Sequence, residues 1–263
     1  MSVLKRNNVT VRGKGTRVIL LAHGFGCDQH MWKYITPAFE ADYKIVLFDH
    51  VGAGKSDLSA YASDKYTKLE GYADDIIAML EALHMEQVIF VGHSVSAMIG
   101  ALASIKAPRL FASLIMVAPS PCYINDGDYI GGFSHTQIEE LLEALDSNHL
   151  GWSVSMAPVI MGNADRPELG EELANSFCQT DPAIAREFAR TTFLTDKRNI
   201  LSSITTPTLI LQCSSDVIAP VAVGEYMQQH IPGSQLVVMN ATGHCPNLSA
   251  PAETIAAIKE FLS

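Results

Sequence analysis

Val88-Ile89-Phe90-Val91-Gly92-His93-Ser94-Val95-Ser96 puts a serine where a buried strand stops and a helix begins. The four apolar residues before Gly92 suit a strand covered on both faces, and the apolar residues from Val95 to about Ile105 follow helical spacing. A serine on so tight a turn projects its oxygen above the sheet while the next helix starts at once, the context of a nucleophile elbow. Small residues two before and two after it let the neighbouring backbones pass. Gly92 meets that need. Ser96 stands where the usual G-x-S-x-G has its second glycine, and serine is small enough to be tolerated there.

The same alternation extends in both directions. Val18-Ile19-Leu20-Leu21 leads into His23-Gly24-Phe25-Gly26 and a short helical stretch from about Gln29. Tyr43-Lys44-Ile45-Val46-Leu47-Phe48 is a second buried strand, ending at Asp49. A helix over about 69–83 carries Tyr72, Ile76, Met79, Leu80 and Leu83 at helical spacing. Leu114-Ile115-Met116-Val117 is a further strand, stopped by Pro119 and Pro121. From about 120 to 205 the strand pattern disappears, leaving helical patterns at 136–146, 149–161, 168–178 and 182–194. Strands return at 208–212 and 235–239, with helices near 219–230 and 252–262, and opening strands near 4–11 bring the count to about seven. Short apolar runs alternating with helices imply an α/β fold with a mostly parallel, doubly wound sheet. The expected division is a core over 1–119 and 206–263, interrupted by a four-helix cap, or lid, over 120–205.

A serine hydroxyl attacks only when a base takes its proton, and that base needs an orienting acid. In this fold the order is Ser, acid, His. Asp216 follows the strand 208–212 through Cys213-Ser214-Ser215, and His244 follows the strand 235–239 through Asn240-Ala241-Thr242-Gly243. Both land at the strand-end edge of the sheet with Ser94. Asp216 also reads as a helix cap ahead of Ala219-Pro220, a reading that weakens once Ser94 and His244 are in place. The other acid position, after 114–117, holds Ala118-Pro119-Ser120-Pro121 and no carboxylate. Acyl transfer further needs N–H donors for the developing oxyanion, each worth roughly 3–4 kcal/mol. The Phe25 and Val95 amides are the candidates.

Other features take plainer readings. Gly52-Ala53-Gly54-Lys55-Ser56 looks like a phosphate loop, but the first glycine of that motif would fall on Asp49, so it reads as a structural turn. His23 reads as a packed histidine holding its loop, and Cys27 and Cys245 as small packing residues. The acidic residues Glu139, Glu140, Glu143, Glu171 and Glu172 read as a solvated face of the cap. Nine histidines without ligand spacing imply no metal, and no cofactor is expected.

With 263 residues, 48% of them hydrophobic, the chain can bury a large core. A net charge of −10 disfavours nucleic-acid backbones and anionic membrane surfaces as partners. No apolar stretch reaches the ~18 residues of a membrane span, and the basic start has no apolar run of a signal peptide. Five cysteines at 27, 122, 178, 213 and 245, without a CxxC pair, suggest reduced thiols and a cytoplasmic protein.

The elbow, the loop at 23–26, Asp216 and His244 together resemble the α/β-hydrolase superfamily over nearly the whole chain. Longer strings narrow the resemblance. Phe90-Val91-Gly92-His93-Ser94-Val95-Ser96-Ala97-Met98-Ile99-Gly100, Pro119-Ser120-Pro121-Cys122-Tyr123 and Gly131-Gly132-Phe133 resemble the group holding the bacterial stress regulator RsbQ and the plant karrikin and strigolactone receptors. Ser94-Val95-Ser96 matches the plant receptors, whereas Gly243-His244-Cys245-Pro246 and Gln212-Cys213 are more similar to RsbQ. Haloalkane dehalogenases and epoxide hydrolases, which share the fold, carry aspartate where Ser94 stands. The resemblance implies a Ser94–His244–Asp216 triad beneath the lid. It also implies an apolar pocket lined by Phe25, Tyr123, Phe133 and Trp152, with Phe193, Val217 and Ile218. At Met156 the plant receptors tend to have an aromatic residue, so their hormone selectivity does not transfer. Two functions follow: hydrolysis of a small apolar ester or lactone, or sensing of such a ligand by a lid that docks on a protein partner, a phosphatase-type regulator if RsbQ is the guide.

Overall fold

The computed structural model describes residues 2–263. Seven strands, β1 (Thr10–Arg12), β2 (Arg17–Ala22), β3 (Tyr43–Leu47), β4 (Val88–His93), β5 (Phe111–Val117), β6 (Thr208–Ser215) and β7 (Gln235–Thr242), form one sheet in the order β1-β3-β2-β4-β5-β6-β7. β1 runs antiparallel to β3 and every other pairing is parallel. All six residues of the central β4 are buried, as a strand covered on both faces requires. The edge strands β1 and β7 are largely open to solvent.

The helices in chain order are α1 (Val3–Arg6), α2 (Ser63–Tyr66), α3 (Leu69–Ala82), α4 (Val95–Lys106), α5 (His135–Ser147) and α6 (His149–Met161). They continue with α7 (Pro167–Gln179), α8 (Pro182–Phe193), α9 (Val221–His230), α10 (Pro246–Ser249) and α11 (Pro251–Leu262). Strand residues alternate between two cores because successive side chains point to opposite faces. Leu20, Val46 and Phe90 pack with α3, α4 and α9 on one face. Ile19, Leu21, Ile89 and Val91 share the other with α11 and with Leu142, Trp152, Leu173 and Phe177 of α5, α6 and α7. Thus the four helices α5–α8, all lying between β5 and β6, continue a sheet-face core rather than standing apart from it.

Local chemistry fixes the ends of these helices. Ser134 and Gln137 form a capping box at the start of α5, and the Asp181 side chain accepts from the amides of Ala183 and Ile184 at the start of α8. The opening of the chain differs from expectation. Val3–Arg6 is a single helical turn capped by Ser2, and of the strands expected near 4–11 only Thr10–Arg12 pairs into the sheet. The serine offers its oxygen to the Lys5 amide, which draws the preceding residues into a turn. The count of seven strands stands.

Candidate active site

β4 ends at His93, and the next residue turns sharply into α4. Ser94 adopts φ 55° and ψ −123°, a conformation unfavourable for a side-chain-bearing residue, and its amide donates to the Val117 carbonyl of β5 at 2.8 Å. Gly92 is required beneath this turn: a Cβ there would lie 2.6 Å from the Ser96 carbonyl oxygen. Gly24 is required above it, because a Cβ there would meet His93 Nδ1 at 2.4 Å.

Strands β6 and β7 deliver the other two groups to the same edge. His244 Nε2 lies 2.7 Å from Ser94 Oγ, and His244 Nδ1 lies 2.7 Å from Asp216 Oδ2. The Asp216 carboxylate has no solvent exposure, and its second oxygen accepts from the Ile218 amide at 2.8 Å. With Asp216 accepting, His244 carries its proton on Nδ1, leaving Nε2 to accept from the serine hydroxyl. His244 is held from behind as well: its amide donates to the Ile160 carbonyl, and His93 Nε2 donates to its carbonyl at 2.7 Å. Burial, reinforced by the neighbouring His244, pushes the His93 imidazole down to about 3, so His93 is neutral.

The loop at 23–26 is tied to the elbow by hydrogen bonds. His23 Nδ1 donates to the Gly24 carbonyl and its Nε2 accepts from the His50 amide. The Ser96 hydroxyl donates to the His23 carbonyl at 2.5 Å and accepts from His50 Nε2 at 2.7 Å. Burial lowers the pKa of both His23 and His50, so they serve this network as neutral rings. Among the described residues, neither the Phe25 nor the Val95 amide donates to a protein acceptor.

A small cavity opens beside Ser94 and His244. Of the residues expected around it, Phe25, Tyr123, Phe193 and Ile218 line it. Phe133, Trp152 and Met156 do not. They border a separate surface groove along α5 and α6, and Trp152 is screened from the cavity side by Phe25 at 6.3 Å and by Phe177, on which it stacks at 5.7 Å. Val217 is 54% exposed. The bond from the Ile218 amide to Asp216 turns Ile218 inward and leaves its neighbour pointing to water. Sequence reasoning missed Phe177, Leu173 and Ile160, which complete the apolar wall, and Thr192, which precedes Phe193 on α8. Helical spacing marks the first three as core without saying which core. Cys27 and Cys245 also line the cavity, and burial raises both thiols, Cys27 to about 12, so they are protonated packing groups. Tyr123, raised to about 12 by burial, brings its hydroxyl to 3.5 Å from Ser94 Oγ.

The glycine-rich turn at 52–56 folds around Asp49, whose carboxylate accepts from the amides of Gln29 and Lys55 and from Asn8 Nδ2. The turn is thus organised around the Asp49 side chain, in keeping with a structural role. Among the described residues there is no cluster of three metal-ligating side chains, and no helix is long and apolar enough to cross a membrane.

A mostly parallel sheet carrying a hydrogen-bonded Ser–His–Asp chain at its strand-end edge defines an α/β-hydrolase. The description of the alpha/beta hydrolase family matches residues 19–258, and the chain belongs to that family. It is 43% identical to a probable esterase of Oryza sativa subsp. japonica, over 95% of this chain and 93% of that protein. It is 38% identical to a strigolactone esterase of Arabidopsis thaliana, over 99% and 98%. The structure of a hydrolase from Oleispira antarctica superposes with a TM-score of 0.97 at 42% identity, covering 99% of this chain and 96% of that one. The protein is therefore an enzyme of the esterase type within this family.

Proposed function

We propose that the protein is a serine hydrolase acting on a small apolar ester or lactone through an acyl-enzyme. Ser94 Oγ attacks the carbonyl carbon while its proton passes to His244 Nε2, and Asp216 holds the imidazole in the accepting tautomer. The Phe25 and Val95 amides receive the oxyanion. Collapse breaks the ester bond, and the leaving oxygen takes the proton from His244. Water then attacks the acyl group, gives its proton to the same nitrogen, and frees the acid as Ser94 recovers its own. The observation that carries this reading is the unbroken 2.7 Å and 2.7 Å contact chain from Ser94 to Asp216.

In this reading residues 120–205 act as a lid over the cavity, and the enzyme works in the cytoplasm on a small molecule. A second reading, in which the liganded lid docks on a phosphatase-type partner in the manner of RsbQ, draws support from α6. That helix has no charged residue and leaves Leu150, Val154 and Val159 exposed.

Ser94→Ala tests the first reading. The variant stays folded, loses hydrolysis of p-nitrophenyl acetate by at least about 10³-fold, and no longer reacts with an active-serine phosphonate that labels the parent. His244→Ala is nearly as inactive, since the members of such a chain act as a unit. Labelling that persists in Ser94→Ala removes Ser94 from the mechanism.

A further inference from the structure

The wall of the cavity contains a hydroxyl-bearing residue, Thr192, that the hydrolytic reading does not use. Thr192 on α8 is 1% exposed, and its Oγ1 has no hydrogen-bond partner among the described residues. Its neighbour shows the ordinary arrangement: Thr191 Oγ1 returns to its own helix, donating to the Glu187 carbonyl four residues back at 2.8 Å. The Thr192 hydroxyl does not do so, and Thr192 is one of the residues lining a cavity whose wall is otherwise mostly aromatic and aliphatic. Leaving a buried hydroxyl unsatisfied is unfavourable, and valine would fill the same volume without that cost. The remaining polar groups at the cavity are engaged or covered. Ser94 and His244 bond each other, Tyr123 lies against Ser94, and the free Nδ1 of His93 is roofed by Gly24.

We propose that Thr192 is a specificity-determining residue that donates a hydrogen bond to a second oxygen of the substrate. The natural substrate is then a small ester or lactone carrying, besides its reacting carbonyl, a further ether, ketone or carbonyl oxygen. This rests on the serine-hydrolase reading and narrows it from apolar esters to oxygen-bearing ones. The ligand oxygen supplies the acceptor that the protein withholds, whereas a purely alkyl acyl group leaves the hydroxyl without a partner. Discrimination of this kind comes from a buried polar group left unpaired by the wrong substrate.

The test compares two matched pairs of p-nitrophenyl esters, methoxyacetate against butyrate and 4-oxopentanoate against pentanoate, on the parent, Thr192→Val and Thr192→Ser. In at least one pair, Thr192→Val lowers kcat/KM for the oxygen-bearing ester and raises it for the alkyl ester. The oxygen-to-alkyl ratio then falls about 3–10-fold, and Thr192→Ser retains most of the parent's ratio. The urea midpoint of Thr192→Val does not fall, because no protein hydrogen bond is lost. A ratio unchanged in both pairs overturns the proposal, as it would if the hydroxyl were satisfied by water. A lowered urea midpoint also overturns it, since the hydroxyl would then have a partner within the fold. Failure of the parent to react with a phosphonate sinks the Ser94 reading and this proposal together; normal labelling with an unchanged ratio sinks this proposal alone.

Discussion

At the residue scale, Ser96 joins the loop that carries Phe25 to the elbow that carries Ser94. Its hydroxyl donates to the His23 carbonyl and accepts from His50 Nε2, both deep in the core. In the motif it stands for a glycine, and the sequence supports only the statement that it is small enough. Nothing in a linear pattern reveals that positions 23, 50 and 96 meet, since three strand ends must first be laid side by side. Ser96→Ala leaves a buried N–H and a buried carbonyl without partners, at about 1–3 kcal/mol each, so a loss of roughly 2–6 kcal/mol is expected in urea unfolding. A loss within experimental error would mean that the bonds re-form elsewhere. Ser94, Asp216 and His244 were legible because each stands within two residues of the end of a strand, and parallel strands deliver their ends to one edge. Thr192 was not, because a threonine in an amphipathic helix has the same pattern whether its hydroxyl bonds its own helix, as in Thr191, or stays free.

At the element scale, the four helices between β5 and β6 were legible in number and nearly in length: α5, α7 and α8 carry apolar stripes with a period of 3.6, and α6 is apolar nearly all round. Their side-chain neighbours were not, because periodicity identifies the buried face of a helix without identifying what buries it. Phe193 and Trp152 show the consequence. Both are buried, but Phe193 lines the cavity and contacts the Tyr123 ring at 5.1 Å, whereas Trp152 lies behind Phe25 and Phe177. Phe193→Ala therefore lengthens the space available to an acyl chain. In an ester series from acetate to palmitate, the chain length at which kcat/KM falls moves upward for Phe193→Ala. Trp152→Ala instead acts on packing, with a stability loss of about 3–5 kcal/mol and a much smaller change of cutoff. Equal shifts in the two variants would show that the aromatic layer behind Phe25 rearranges and that the wall is not where the ring contacts put it. The opening strands expected near 4–11 were half misread for a related reason. Ser2 and the amide of Lys5 form a local turn, and only the residues opposite β3 find a partner.

At the scale of the whole molecule, His23, His50 and His93 lie within one buried layer under the strand ends. Each has its pKa lowered first of all by burial, which disfavours the charged ring, and for His93 the value is about 3. In the unfolded chain these rings take up protons near the ordinary value of about 6.5. Below that pH the unfolded state binds more protons than the folded one, so stability is fully present above about 6.5 and falls as the medium is acidified. Each ring contributes up to about 1.4 kcal/mol per pH unit between its unfolded and its folded value. The lowered carboxyls of Glu70 and Asp196 act in a different window: their contribution is intact above their unfolded values of 4.5 and 3.8 and is lost below them. The interval from pH 6.5 to 5 therefore reports on the buried histidines, to which His149 of α6, also lowered first by burial, adds its share. Urea unfolding across it should show the midpoint dropping steeply with acidification. A midpoint equal at pH 7 and pH 5 would mean that these rings are protonated or solvated in the folded protein. The neutral-ring network that links Phe25's loop to Ser94 would then have to be abandoned.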